Sequence, residues 1–149
     1  MDERDTPEQL KARALRYLVR REHSRAELAR KLSPHAASRA ALEELLDLLL
    51  ARKQQSDARY AEERVRVLSR KYGAAKIRYE LMSKGIAPQL VEAISSAGEL
   101  ERARAILARR YRSPAATPAE RARRARFLQG RGFSSDVVAR LVLDREDPV

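Results

Sequence analysis

The chain has 149 residues, of which 36% are charged and 44% hydrophobic, with a formal net charge of +11. That length allows one domain or a few small modules sharing a core, and that composition describes a folded chain with a heavily charged surface. The absence of cysteine excludes disulfides and thiolate metal sites, and the leucine-rich run Leu45–Ala51 is too short for a membrane span and is interrupted by Asp47.

The opening residues, "MDERDTPEQ", are acidic and polar rather than leader-like, so a cytoplasmic, bacterial-type protein is expected. A first helix is predicted over 7–22. Thr6 is its N-cap, Pro7 occupies its first position and Gln9 its third, as a capping box requires. Ser24–Glu27 ("SRAE") predicts a second box and a helix over 25–33. Ser38 and Ser56 are the N-caps expected for helices over 39–52 and 57–71. Leu42, Leu45, Leu46 and Leu49 follow i, i+3, i+4, i+7 and predict one buried face. Further helices are expected over 74–83, 88–96 and 99–111. A third box at Thr117–Glu120 ("TPAE") opens a helix over 118–129, and a last helix covers 135–144. Gly73, Gly85 and Gly132 fall between them, where glycine ends a helix or permits a tight turn. No period-2 run and no Asn-Gly or Asp-Gly hairpin signal occurs. The expected fold class is all-α, with nine helices.

The chain repeats itself. "REHSRAELARKL" (Arg21–Leu32) lies over "RKYGAAKIRYEL" (Arg70–Leu81) without a gap, matching Ser24 to Gly73, Leu28 to Ile77 and Leu32 to Leu81. "LMSKGIAPQLVEAI" from Leu81 lies over "LQGRGFSSDVVARL" from Leu128, matching Ile86 to Phe133, Val91 to Val138 and Ile94 to Leu141. The offsets are 49 and 47 residues. A period of that length holds three helices, so three repeats account for nine, at 7–52, 57–96 and 99–144. A lone three-helix unit has little core, and stacking lets each unit cover its neighbour's apolar face. In the first repeat "LSPHAASRAAL" replaces the basic-Gly-apolar corner, and in the third Arg124 stands opposite Ile77.

"ALRYLVRREHSRAELARKL", "QSDARYAEERV", "KYGAAKIRYELMSKGI" and "FLQGRGFSSDVV", in this order, resemble the successive signatures of the bacterial RecX family, and the resemblance runs from about Ala12 to Leu143. That resemblance implies three tandem three-helix repeats in an elongated, curved arrangement. It further implies a monomeric, non-enzymatic cytoplasmic regulator that binds the recombinase RecA and its filament on single-stranded DNA. Such a regulator would suppress ATPase, strand-exchange and coprotease activities.

Charge points the same way independently. Residues 100–132 hold ten basic and two acidic side chains, +8, whereas residues 1–50 come to +1 and the tail from Phe133 to −2. An anionic partner is expected, nucleic acid or an acidic protein surface. The basic run "ERARRARFLQGR" supplies the first candidates. Arg121, Arg124 and Arg131 fall near one helical face, and Arg123 and Arg126 lie around from it. Arginine stems also cover apolar neighbours on ordinary solvated helices, but this local excess goes beyond what solubility requires. Lys84 and Arg131 occupy matching places beside a glycine, where each either faces a partner or caps the negative end of the preceding helix. Arg25, Lys76 and Arg78 flank the second helices of the first two repeats and complete the basic set. Of the seven aromatic residues, most are expected in the core or half-buried, against the alternative of stacking on bases.

No spacing of His, Asp or Glu resembles a metal site, no glycine loop cradles a phosphate, and no nucleophile, base and orienting group assemble. Catalytic, metal and cofactor residues are therefore not expected. His23, just before the N-cap Ser24, is expected to close a helix junction, and His35 to lie in a loop. The rival to filament regulation is a basic helical module that binds DNA directly through arginine–phosphate contacts.

Overall fold

In a computed structural model that describes residues 3–143, all the regular structure among those residues is helical. The elements are α1 (Pro7–Arg20), α2 (Arg25–Leu32), α3 (Arg39–Ala51), α4 (Asp57–Leu68), α5 (Ala74–Ser83), α6 (Pro88–Glu92), α7 (Glu99–Arg110), α8 (Pro118–Gly130) and α9 (Ser135–Val138). A 3₁₀ turn, Ser33–His35, follows α2 and takes in His35, expected in a loop; a π-helical turn, Ala139–Leu143, follows α9. Asp144, the predicted end of the last helix, lies outside the described residues. None of the described helices is long and apolar enough to cross a membrane.

The caps explain where the helices begin. At α1 the box is complete: Gln9 N donates to Thr6 Oγ1 at 3.2 Å, and Thr6 N donates to Gln9 Oε1 at 2.9 Å. At α2 only half of the expected box forms. Glu27 N donates to Ser24 Oγ at 3.1 Å, but the Glu27 carboxylate is held by Arg21 at 2.6 Å instead of reaching back. At α8 the box slips by one residue, since Thr117 accepts from Glu120 N while Glu120 Oε2 accepts from Ala116 N.

Three helices end three or more residues before the predicted end, and local polar groups stand beyond two of them. Beyond α4, Ser69 Oγ donates to Val65 O at 2.5 Å, beside the ladder bond that Ser69 N makes to the same carbonyl at 2.8 Å. Beyond α6, Ala97 N donates to Ser95 Oγ, and the Ile94 carbonyl accepts from Arg78 Nη2 at 2.6 Å. The last helix passes into the π turn after Val138.

The described chain divides into two compact units, one made of the residues up to Arg64 with Leu81–Leu90, the other of Val65–Glu80 with the residues from Val91 onward. Residues of the predicted second repeat thus fall in both. The first unit buries Leu10 and Ala14 of α1, Leu28 and Leu32 of α2, and Leu42, Leu45, Leu46 and Leu49 of α3 in one cluster. In the second unit Ala103 and Ile106 of α7, Ala125 and Leu128 of α8, Phe133, Val137, Val138 and Val142 do the same. Truncating such a leucine to alanine costs about 2–5 kcal/mol.

Matched positions of the repeat are matched in burial. Leu28 with Ile77, Leu32 with Leu81 and Leu128, Ile86 with Phe133, and Val91 with Val138 are all core residues. The corners are matched too. In the first unit Gly85, at φ +83°, packs so close to α2 that an added Cβ would stand 3.0 Å from Ala26 Cβ. In the second, Gly132 (φ +91°) and Gly73 approach so closely that a Cβ on Gly73 would lie 2.4 Å from the Gly132 carbonyl oxygen. Only glycine allows this backbone-on-backbone contact.

Candidate functional site

The same helix corner is built twice with opposite chemistry. In the first unit the α1–α2 corner is neutralised from within. Glu27 pairs with Arg21 at 2.6 Å, and Glu22 pairs with Arg59 at 2.9 Å. Arg25 is shared between Glu43 at 2.8 Å and Asp47 at 2.7 Å. His23 is only 2% exposed. Its Nδ1 stands 3.1 Å from the Arg21 carbonyl and its Nε2 3.1 Å from Lys31 Nζ. A carbonyl on one side and an ammonium on the other require the neutral tautomer with the proton on Nδ1. Burial, foremost, holds the imidazole below its ordinary pKa.

In the second unit the α4–α5 corner carries Lys71 where the first has Glu22, Tyr72 where it has His23, Gly73 for Ser24 and Lys76 for Glu27. Both internal acids have become lysines. Around Tyr72 the cations and rings alternate. Lys76 Nζ lies 4.7 Å from the Tyr72 ring centre and the Arg131 guanidinium 5.4 Å from it. Arg131 is also 5.1 Å from the Phe127 ring, and Arg110 is 5.2 Å from that ring and 6.0 Å from Tyr111. Arg124 closes the series 4.4 Å from Tyr111, which meets Phe127 edge to face. Lys76, Arg131, Arg110 and Arg124 are thereby fixed on three rings, each with a cation against its face.

An open cleft runs beside this ladder, between the α4–α5 corner, α7 and the end of α8. Its charged lining is Arg70, Lys71, Arg109, Arg110 and Arg131, without a single acid. Arg109 donates to the Arg70 carbonyl at 2.9 Å and Arg131 to the Lys71 carbonyl at 3.4 Å. These carbonyls follow the C-terminus of α4, where cations are favoured. A second cleft, lined by Arg104, Arg112, Arg121, Arg124 and Tyr111, adjoins through the shared ladder.

The nine basic residues expected from sequence divide accordingly. Arg131, Arg124 and Lys76 belong to the ladder, Arg121 lines the second cleft, and Arg123 lines a smaller one with Glu120 and Arg124. Arg126 is exposed on α8. Arg78 is turned to the Ile94 carbonyl, so it serves the exit of α6. Arg25 and Lys84 belong to the first unit, Arg25 engaged by two carboxylates and Lys84 exposed. Sequence reasoning passed over Arg70, Lys71, Arg109 and Arg110. The signal was present in the aligned corners, as acid-to-lysine changes at two matched positions. Six of the seven aromatic residues are buried or half-buried, as expected, and Tyr79 is 75% exposed.

Against known proteins, residues 56–93 match the model of the second three-helix domain of RecX, and residues 97–142 that of the third. The chain is 52% identical over 136 residues to the regulatory protein RecX of Leptothrix cholodnii, covering 89% of this chain and 87% of that one. It is 46% identical over 139 residues to its counterpart in Ralstonia nicotianae, covering 91% and 87%. The crystal structure of RecX from Lactobacillus salivarius superposes with a TM-score of 0.78 at 23% identity, over 92% of this chain and 94% of that one.

Proposed function

The chain belongs to the RecX family of regulatory proteins, and on that premise we propose that it binds RecA and the RecA–single-stranded DNA filament and restrains it. The restrained activities are ATP hydrolysis, strand exchange and coprotease function, and the protein acts in the bacterial cytoplasm as a monomer without chemistry of its own. The observation that carries the reading is the acid-free cationic ladder of the second unit, which suits a partner of dense negative charge. A ligand needs no catalysis to inhibit. Binding one filament state better than another shifts the population by the difference in affinity.

The test is binding of labelled protein to single-stranded DNA, naked and coated with RecA in the presence of an ATP analogue, across a salt series. The coated strand is expected to win at physiological salt, with RecA ATPase falling over the same protein concentrations when ATP is supplied. Equal affinity for naked and coated strands would make the protein a DNA binder whose effect on RecA is competition for the strand.

A further inference from the structure

We propose that the cleft between the α4–α5 corner, α7 and the end of α8 is a binding site for the phosphodiester backbone of a single-stranded nucleic acid. This deepens the filament reading and rests on it, because such a filament holds a single strand.

Two observations carry the assignment independently of the overall charge. First, the repeat supplies its own control. The aligned corner of the first unit opens on the same residue type, Arg21 for Arg70, and it is satisfied internally by Glu22 and Glu27. Lys71 and Lys76 take those two places in the second unit, so Arg70 lacks the acid that Arg21 has and the cleft is left with five cations and no counter-charge. Second, the cations are held in place before any ligand arrives. A guanidinium stacked on a ring keeps its N–H edge free, and that edge is what reaches phosphate oxygens in pairs. Arg131 and Arg110 share the Phe127 ring, so their positions are set by a half-buried side chain rather than by solvent.

The chemistry favours a phosphodiester chain over an acidic peptide. The cations continue from this cleft into the next, where Arg104, Arg112, Arg121 and Arg124 surround Tyr111. A polymer with one negative charge per unit meets such a track at every step. A peptide would need apolar side-chain pockets between the charges, and in the main cleft the uncharged wall is Tyr72, Ile106 and Phe127, of which both rings carry cations. Because cations already occupy the faces of Tyr72, Phe127 and Tyr111, bases are not stacked there and the grip is indifferent to sequence.

The experiment restores the chemistry of the first corner in the second. In the full chain, the double variant Lys71→Glu, Lys76→Glu gives Arg70 an internal carboxylate partner, and Lys71→Gln, Lys76→Gln removes the charges without that pair. Binding is read by anisotropy on a labelled oligothymidylate of about 20 nucleotides, longer than the strand one small fold covers, from low to physiological salt. With helicity unchanged by circular dichroism, the Glu pair is expected to bind at least tenfold more weakly. The slope of log affinity against log salt should shrink by about 0.7 for each phosphate no longer engaged. The Gln pair should fall between the Glu pair and the parent. Parent-like affinity in the Glu pair overturns the site. Equal binding of a duplex of the same length overturns the single-strand assignment, and equal competition by polyglutamate at matched charge overturns the phosphodiester. The same proteins assayed on RecA-coated strands separate the two claims. Retained preference for the coated strand with unchanged naked-strand binding in the Glu pair sinks the cleft alone. Abolished naked-strand binding in the Glu pair, with no filament preference in the parent, sinks the filament reading alone.

Discussion

At His23 a single proton decides whether the first corner holds. The ring donates from Nδ1 to the Arg21 carbonyl and accepts at Nε2 from Lys31. Protonating Nε2 would remove that acceptor and set a second positive charge against Lys31, with Arg21 close by and Glu27 the nearest opposing acid. The folded-state pKa is therefore lowered from 6.5, chiefly by burial. Below that value the unfolded chain takes up a proton that the folded chain refuses. Stability is then undiminished above about pH 6.5 and falls as pH drops toward the folded-state value, by no more than about 1.4 kcal/mol per pH unit. Asp5 and Glu27 carry pKa values lowered from 3.8 and 4.5, first by their hydrogen bonds to Arg13 and Arg21, so their contributions persist above those values and are lost only in stronger acid. Urea midpoints at pH 7.5 and 5.5 isolate the histidine. The parent is expected to lose stability between them and His23→Gln to lose distinctly less. Parallel losses would show that the ring does not set this window.

Among the elements, one recurring device ties α2 and α5 each to the start of a later helix. Asp57, first in α4, accepts from Arg25 N at the opening of α2 at 2.8 Å, and Gln55 Nε2 joins it at 2.9 Å. Glu99, first in α7 and 6% exposed, accepts from Ala74 N at the opening of α5 at 2.9 Å. Each carboxylate satisfies a backbone donor that its own helix leaves unpaired, and at α5 the N-cap residue is Gly73, with no side chain to help. Glu99→Ala should cost about 1–2 kcal/mol, read from the denaturant midpoint at constant slope. Glu99→Gln should cost less, because an amide oxygen still accepts. If the alanine variant matches the parent, the cap contributes nothing. These ties show how far sequence can be read. Starts marked by Thr6, Ser38 and Pro118 fall where local chemistry places them, because a cap acts within three residues. The acceptors of the Arg25 and Ala74 amides lie 32 and 25 residues away, beyond any local pattern. The exit of α3 runs through Lys53 at φ +59°, a left-handed residue that no glycine marks. The ladder was legible in part, since Arg124 and Arg131 stand out by charge. Arg110 needed the fold to bring it to Phe127, as Arg109 did to reach the Arg70 carbonyl.

For the molecule as a whole, the question is whether net charge or placed charge attracts the partner. Replacing Arg121, Arg124 and Arg131 by Glu lowers the net charge from +11 by six, which alone weakens long-range attraction to any polyanion. The control is a second triple variant, Arg16→Glu, Arg20→Glu, Arg39→Glu, which removes the same charge from exposed positions of the first unit. Long-range attraction is screened over about 8 Å at physiological salt, so the control variant should bind more weakly at low salt and recover most of its affinity as salt rises. The ladder variant gives up short-range interactions as well, because Arg124 and Arg131 are fixed against Tyr111, Tyr72 and Phe127. Its deficit on RecA-coated single strands should exceed tenfold and persist at physiological salt, with helicity preserved. A hydrogen bond to a charged group is worth roughly 1.5–3 kcal/mol, so removing two suffices for a deficit of that size. Equal deficits in the two variants at every salt concentration would mean that the partner responds to overall charge, and that no privileged surface exists on α8.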